Sequence, residues 1–528
     1  MAQADQPAAG GSGGAATTPV PAPPGIQPEP AQPQGDLLTL KEALRFALQN
    51  NLDIELARYQ PAISEEVLRG AEGIFDPLLF ADYDYSHDET PIASAIVDGV
   101  SASGGGTARS TINTDTGRWD AGLSGVTSLG LEYSSQYEFS RNRSDSPFAN
   151  VDPEYNAQWV TLVTLPLLRD LVTNDASILV ARSSIARDRS YDDFQADLTD
   201  LLVETERRYW GLAAARANTR VATKSLETAS ELLEQTRVQY EVGVVSRVEV
   251  VQSEAGVAQR EFELIVAENA EGAAHDQLLN AVFAPGERVF EERTVITEKA
   301  VFVDYEVEVG VATAKALELR PELASARSLV DDARLQLDLA ENQVLPTLDL
   351  VGRYQFDGLS GRSDDPNTII PNNRKESYDK FFRNDGNRSY TIGAQFSIPI
   401  GNQVARAAET EAEIGFRRAK TSLRREEQKV LLEVRKAVRD LASSIEGIQA
   451  AERNRVAQSE TLDAEQERLR LGDSTPFQVL QHEEDLAQAE RQLIRSLQVH
   501  RDAIADLDRA QGTLLDRLNI SVRDQLTR

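Results

Sequence analysis

Two periods of hydrophobicity alternate along this chain of 528 residues. In the longer stretches apolar residues recur every three, four or seven positions: Leu198, Leu202, Tyr209 and Leu212, then Leu226, Leu233 and Tyr240, and later Val430, Val434, Ala437, Leu441, Ile445 and Ile448. That spacing predicts α-helices with a coiled-coil seam. In shorter stretches every second residue is apolar. Leu348, Leu350, Gly352, Tyr354 and Phe356 alternate with Asp349, Val351, Arg353 and Gln355, and Tyr390, Ile392, Ala394, Phe396 and Ile398 alternate with Thr391, Gly393, Gln395 and Ser397. Leu79, Ala81, Tyr83 and Tyr85 follow the same rule earlier in the chain, and Leu129, Leu131, Tyr133, Tyr137 and Phe139 follow it most clearly. These segments predict strands with one greasy and one wet face.

The pattern occurs twice. At an offset of 269, Ala57-Arg58, Pro77, Leu79 and Tyr85 match Ala326-Arg327, Pro346, Leu348 and Tyr354. At an offset of 229, Gly243, Val250, Gln252, Glu254 and Ala258-Gln259 match Gly472, Val479, Gln481, Glu483 and Ala487-Gln488. We therefore divide the chain into a leader (1–36), a first repeat (37–306) and a second repeat (307–528). The first has a helix over 37–72, strands within 78–166, helices over 170–242 and 246–283, and a linker over 284–306. The second has a helix over 308–344, strands within 347–398, helices over 402–470 and 475–517, and a C-terminal segment. A helix of some 70 residues would reach roughly 100 Å, far more than an ordinary domain needs.

The repeats differ in the strand region. Pro77 to Pro166 spans 89 residues, whereas Pro346 to Pro399 spans 53, so the first repeat carries 36 more. Trp119–Gly125 and Leu129–Phe139 read as two additional strands around a short turn at Val126-Thr127-Ser128, with 87–118 and 143–154 as long polar loops. Alternation at about ten residues per strand, with tyrosines near the ends, suits a lipid-facing barrel with a polar lumen; a soluble sandwich shows the same period. A few strands cannot close a barrel, and unpaired edges are not tolerated in lipid, so several chains must share one.

Composition narrows the choice. No apolar run approaches the 18 or so residues of a membrane-spanning helix; the best, Trp159 to Leu168, is about half that and contains Thr161, Thr164 and Pro166. Lys and Arg number 55 against 85 Asp and Glu, a formal charge of −30, which argues against nucleic-acid binding. The absence of cysteine excludes disulfides, thiolate metal sites and an N-terminal lipid-anchoring cysteine in this sequence. Met1 is followed by Ala2-Gln3-Ala4-Asp5 without the basic and apolar regions of a secretory signal, so export is inferred. The leader, rich in Gly, Ala and Pro, is expected to be disordered.

Leu38-Thr39-Leu40-Lys41-Glu42-Ala43, Phe75-Asp76-Pro77, Tyr240-Glu241-Val242-Gly243-Val244, Leu345-Pro346-Thr347-Leu348, Ser397-Ile398-Pro399-Ile400 and Arg470-Leu471-Gly472-Asp473, by their order, duplication and spacing, resemble the helix-strand-helix repeat of the TolC outer-membrane efflux protein family over nearly all of 37–520. The resemblance implies a mainly α fold with β: a long antiparallel α-helical barrel through the periplasm and a transmembrane β-barrel in the outer membrane of a Gram-negative-type bacterium. It implies two structural repeats per protomer and trimeric closure, with residues 284–306 and the C-terminal segment in an equatorial belt. The implied function is a passive exit duct of a tripartite efflux pump or type I secretion system. Its implied partners are outer-membrane lipid, a periplasmic adaptor (membrane fusion) protein and, through it, an inner-membrane RND, ABC or MFS transporter. With four strands from the first repeat and two from the second, a trimer would close 18 strands; if the extra hairpin folds above the membrane, the usual 12 remain.

By the same resemblance, Val242, Gly243 and Val244, with Leu471, Gly472 and Asp473, form the periplasmic tips that receive an adaptor. Glycine also suits a sharp helix reversal on its own account. Where the family commonly has Asp pairs gating the duct, this chain has Gln478 and Gln481, which hydrogen-bond but do not concentrate cations. Charge there could come from Asp473, Glu249 or Glu483-Glu484-Asp485. An enzyme is not expected, nor a cofactor or metal: the four histidines fall in no His-Glu-x-x-His or Glu-x-x-His motif, and there is no phosphate loop or nucleophile elbow. The remaining rival is a soluble or surface coiled-coil scaffold, which does not explain strands with a lipid-like face at matching places in both repeats.

Overall fold

A computed structural model of the chain describes residues 36–91, 111–146, 149, 151–283, 295–305, 307–363, 375 and 387–522. The expected disordered leader, apart from Asp36, lies outside the described residues, as does most of the linker's first half.

The chain folds into long helices and one six-stranded sheet. Strands β2 (Leu78–Pro91), β3 (Thr111–Val126), β4 (Glu132–Ser144), β5 (Glu154–Pro166), β7 (Thr347–Gly361) and β8 (Asn387–Ser397) lie side by side in this order, each antiparallel to the next. The extra hairpin therefore belongs to the sheet: four strands precede the second repeat and two come from it. The strands are longer than the sequence suggested. Residues 87–91 and 111–118, read as loop because they are polar on both faces, are strand: 87–91 pair with 111–115, His87 opposite Asp115, and 116–118 pair with 84–86. The β3–β4 turn falls at Thr127–Leu131, where Gly130 takes a φ of +81° and Asn174 donates to the Ser128 carbonyl (3.2 Å).

Register groups like residues on each face over the middle of β2 to β7, because residues directly opposite one another share a face; Arg388 of β8, opposite Phe356, departs from it. Across one level run Ala81, Ala121, Tyr137, Trp159 and Phe356; across the next run Tyr83, Trp119, Phe139 and Ala157. On the opposite face run Asp82, Asp120, Glu138, Gln158 and Asp357. There Arg118 bridges Asp120 (3.0 Å) and Glu138 (2.7 Å), and Glu138 accepts from Gln158 (2.5 Å). Among the described residues the outer edges of β2 and β8 pair with no strand.

Two helices exceed all others: α3 (Asp175–Glu241, 67 residues) and α7 (Gln403–Leu471, 69 residues), each about 100 Å long. On the sheet side of the middle, α3 packs between α2 (Leu52–Glu72) and α6 (Pro321–Gln343), and α6 against α7. Beyond the middle, α3 packs between α4 (Arg247–Val282) and α8 (Pro476–Gln511), and α8 against α7. The buried apolar clusters concentrate midway, around Tyr209, Leu212, Leu278 and Val282 and around Val430, Leu441, Ile504 and Leu507. Here β1 (Asp36–Leu38) pairs in parallel with β6 (Val295–Thr297), within the expected linker.

The helices predicted over 37–72 and 308–344 are each broken. α1 (Leu40–Asn50) ends at Asn51, whose side chain accepts from the Asp53 amide (2.8 Å) and so caps α2. α5 (Val309–Leu319) ends at Arg320, the residue before Pro321, where the proline ring disfavours helical geometry. The two breaks stand 269 residues apart, the offset of the matched Arg58 and Arg327. Those arginines do the same work: Arg58 donates to the Leu48 carbonyl (2.8 Å) and Arg327 to that of Leu317 (2.9 Å), satisfying the exposed end of the helix before each break. The helix predicted over 475–517 likewise stops at Gly512 (φ +74°) and resumes as α9 (Leu514–Leu518).

Candidate functional site

Each pair of long helices reverses on a glycine. Gly243 (φ +79°) and Gly472 (φ +84°) occupy the left-handed region that L side chains rarely adopt. At the first turn Val244 N–H donates to the Gln239 carbonyl (2.9 Å) and Gly243 N–H to that of Tyr240 (3.0 Å). At the second, Asp473 N–H donates to Arg468 (2.9 Å) and Gly472 N–H to Leu469 (3.1 Å). Both are glycine-centred C-terminal caps in which the chain turns back within a few residues. Thr475 then caps α8 (3.4 Å to the Gln478 amide), and Pro476 takes the first helical position.

The turns push apolar side chains outward. Val242 and Val244 are about 70% exposed, as is Leu471, and Phe477 and Val248 stand beside them in the open. Asp473 is exposed and uses its backbone in the cap. Gln478 and Gln481 are both exposed within one turn of α8, the Gln478 amide oxygen accepting from Ser474 (2.9 Å). The two acidic candidates lie elsewhere. Glu249 is engaged by the cap of α4, its carboxylate accepting from the Ser246 amide (2.9 Å). Glu483 is only 5% exposed and points between the helices.

Around Glu483 the structure gathers residues that sequence reading did not single out. Lys224 and Thr228 face it from α3 and Arg260 from α4. Arg260 interrupts the repeat, since its counterpart is Ala489, and that mismatch was the available signal. A second missed cluster lies midway along the helices. Arg517 of α9 reaches Glu206 of α3 (2.9 Å) and stands 3.0 Å from Asp508 of α8, which accepts from the Tyr305 hydroxyl (2.8 Å). Arg320 is buried and pairs with Glu322 and Glu433, each at 2.5 Å. Among the described residues no group of three or more His, Cys, Asp or Glu side chains is arranged to hold a metal ion.

Helices of this length, two glycine-turned hairpins and a two-faced sheet form a distinctive combination. Residues 312–513 match the sequence profile of the outer membrane efflux protein family. A curated relative, outer membrane protein TolC of Vibrio cholerae, is 24% identical over 331 residues, covering 61% of this chain and 70% of its own. Two solved structures show the same fold. The Campylobacter jejuni CmeC outer membrane channel superposes with a TM-score of 0.63 at 16% identity, over 90% of this chain and 85% of its own. VceC of Vibrio cholerae superposes with a TM-score of 0.61 at 16% identity, over 90% and 96%.

Proposed function

We propose that this chain is an outer membrane efflux protein, three copies of which assemble into a passive exit duct, in which a shared β-barrel crosses the outer membrane and the helices extend into the periplasm. The observation that carries this reading is the six-stranded sheet, aromatic on one face and acidic on the other, with both edges unpaired among the described residues. Because its strands alternate in direction, β8 of one copy meets β2 of the next antiparallel, and closure gives 18 strands with the acidic face inward. The helices also leave seams for neighbouring copies. Leu52, Leu56, Tyr59, Ile63 and Val67 form an exposed stripe along α2 at one side, and Ile414 and Leu432 are exposed on α7 at the other. None of the described helices is long and apolar enough to cross a membrane, so insertion falls to the strands.

The exposed valines and Leu471 at the tips suit an apolar partner surface, which we assign to a periplasmic adaptor of an inner-membrane RND, ABC or MFS transporter, in a tripartite pump or type I system. Gln478 and Gln481 face solvent as the neutral constriction, while the energy for export comes from the transporter.

Extraction tests the reading. The protein is expected to stay with membranes after lysis, to need detergent, to run as a heat-sensitive oligomer and to conduct ions in planar bilayers. Recovery as a soluble monomer would overturn it. Placing a charge on the greasy face gives a finer check: Ile392→Arg is expected to cost about 2–4 kcal/mol near the bilayer midplane and to lower oligomer yield, whereas Thr391→Arg on the wet face is tolerated. Equal yields for the two variants would place the sheet outside lipid.

A further inference from the structure

We infer that Glu483 is a proton-dependent latch between the two helical hairpins: protonated, it keeps α8 seated on α3 and α4, and ionised, it loosens that seat. The inference rests on the exit-duct reading, in which the hairpins must separate for cargo to enter.

The geometry puts a carboxylate where its charge is poorly answered. Glu483 is buried, and its Oε2 has no hydrogen-bond partner among the described residues. From α3 it faces Thr228 and Lys224, and from α4 Arg260. The Arg260 guanidinium is itself buried and already engaged by Glu263 (3.0 Å) and Glu484, the latter shared with Arg491 (2.8 Å). One buried cation thus serves two carboxylates before Glu483 is counted. On α7, Arg468 and Glu465 pair with each other (2.9 Å), and Ser474 donates to the same glutamate. Burial accordingly pushes Glu483 up to about 7, with Arg260, Thr228 and Lys224 pulling it partly back.

The seat is a discrete contact. One turn before Glu483, Leu480 lies over Gly256 of α4, so close that a Cβ there would come within 2.9 Å of it. Val479 and Leu480 join Ala229, Leu232 and Leu462 in an apolar cluster between the hairpins. When α8 leaves this seat, Glu483 reaches water and returns toward its ordinary value of 4.5. The seated form therefore holds the extra proton. Seating is strongest below pH 4.5, weakens by up to about tenfold per pH unit as pH rises toward 7, and is constant above that.

The chain contains no cysteine, so a single Leu471→Cys substitution carries one nitroxide per copy at the tip. Pulsed electron resonance on the purified oligomer then reports tip-to-tip distances. The expected result is a longer distance at pH 8 than at pH 5, lost on adding Glu483→Gln, which stays short at both. Glu254→Gln supplies the control. It is the counterpart 229 residues earlier, exposed and paired with Arg237 (3.0 Å), and should leave the response unchanged. An identical pH response in Glu483→Gln, or none without that substitution, overturns the latch. The absence of any distance between copies would remove the duct reading itself. Heat resistance gives a second readout: Glu483→Gln should raise it at pH 8 more than at pH 5.

Discussion

Replacing Gly472 with valine is expected to abolish export while leaving the amount of assembled oligomer nearly unchanged. The space around Gly472 is open, with nothing within 4 Å of the position a Cβ would take, so no clash drives the effect. Backbone geometry does. An L residue in the left-handed region costs about 1–2 kcal/mol, and a β-branched residue is worse placed there than most. The turn relieves this by giving up its two capping bonds, from Gly472 to Leu469 and from Asp473 to Arg468, which re-aims Leu471 and Asp473. Assembly is spared because three of the four buried clusters described lie far up α3 and α7, and the fourth, around Leu232, Leu462 and Leu480, does not include the turn itself. Gly472→Asn, which enters the left-handed region more readily, should keep most of the activity, and Gly243→Val should behave like Gly472→Val. Efflux by whole cells, adaptor capture and oligomer recovery separate the outcomes; normal efflux by both valine variants would mean that these turns are not where the partner engages.

Arg517→Ala should be the most damaging single change to stability, by about 3–5 kcal/mol, the range typical of breaking a buried ion pair from one side. Glu206 and Asp508 are almost wholly buried, and Arg517 is the cation they share. Burial already raises both carboxyls above their usual range, and Arg517 is the chief influence holding them down. Without it both would rise further, and at neutral pH the folded state would have to bury unanswered charge or take up protons. The sign follows: a folded-state carboxyl held above its unfolded value binds protons that the unfolded chain does not, so the variant's deficit shrinks as pH falls and grows as pH rises. Heating the detergent-solubilised oligomer at pH 5 and pH 8 while following helix content checks both size and direction. A deficit independent of pH would show that lost packing, rather than charge, dominates.

Much of this architecture could be read from the chain because coiled-coil and strand periods differ sharply, and because both recur at fixed offsets. Glycines 243 and 472 marked the hairpin turns, and counting residues between Pro77 and Pro166 exposed the extra strands. Three features escaped. The helix break at Asn51 was hidden because the apolar stripe continues through it, although Pro321 offered a local cue for its counterpart at Arg320. Strand ends at 87–91 and 111–118 carry polar residues on both faces, and alternation cannot detect a strand without an apolar side. Glu483 looked like part of an acidic surface run, since sequence alone neither places Arg260 beside it nor shows the Leu480–Gly256 contact next to it. Burial of a charge depends on partners hundreds of positions away, as with Arg517 and Glu206.

In the proposed duct the six-stranded sheet also bears on the width of the exit. Strands spaced about 4.8 Å and tilted near 40° each take up roughly 6 Å of circumference, and packed helices take up about 8–10 Å. Six strands then cover close to 38 Å of perimeter per copy, nearly the same as four helices, whereas four strands would cover only about 25 Å. In the proposed trimer the added hairpin would let the mouth match the bore beneath it, so bulky cargo that clears the tunnel would meet no funnel on its way out.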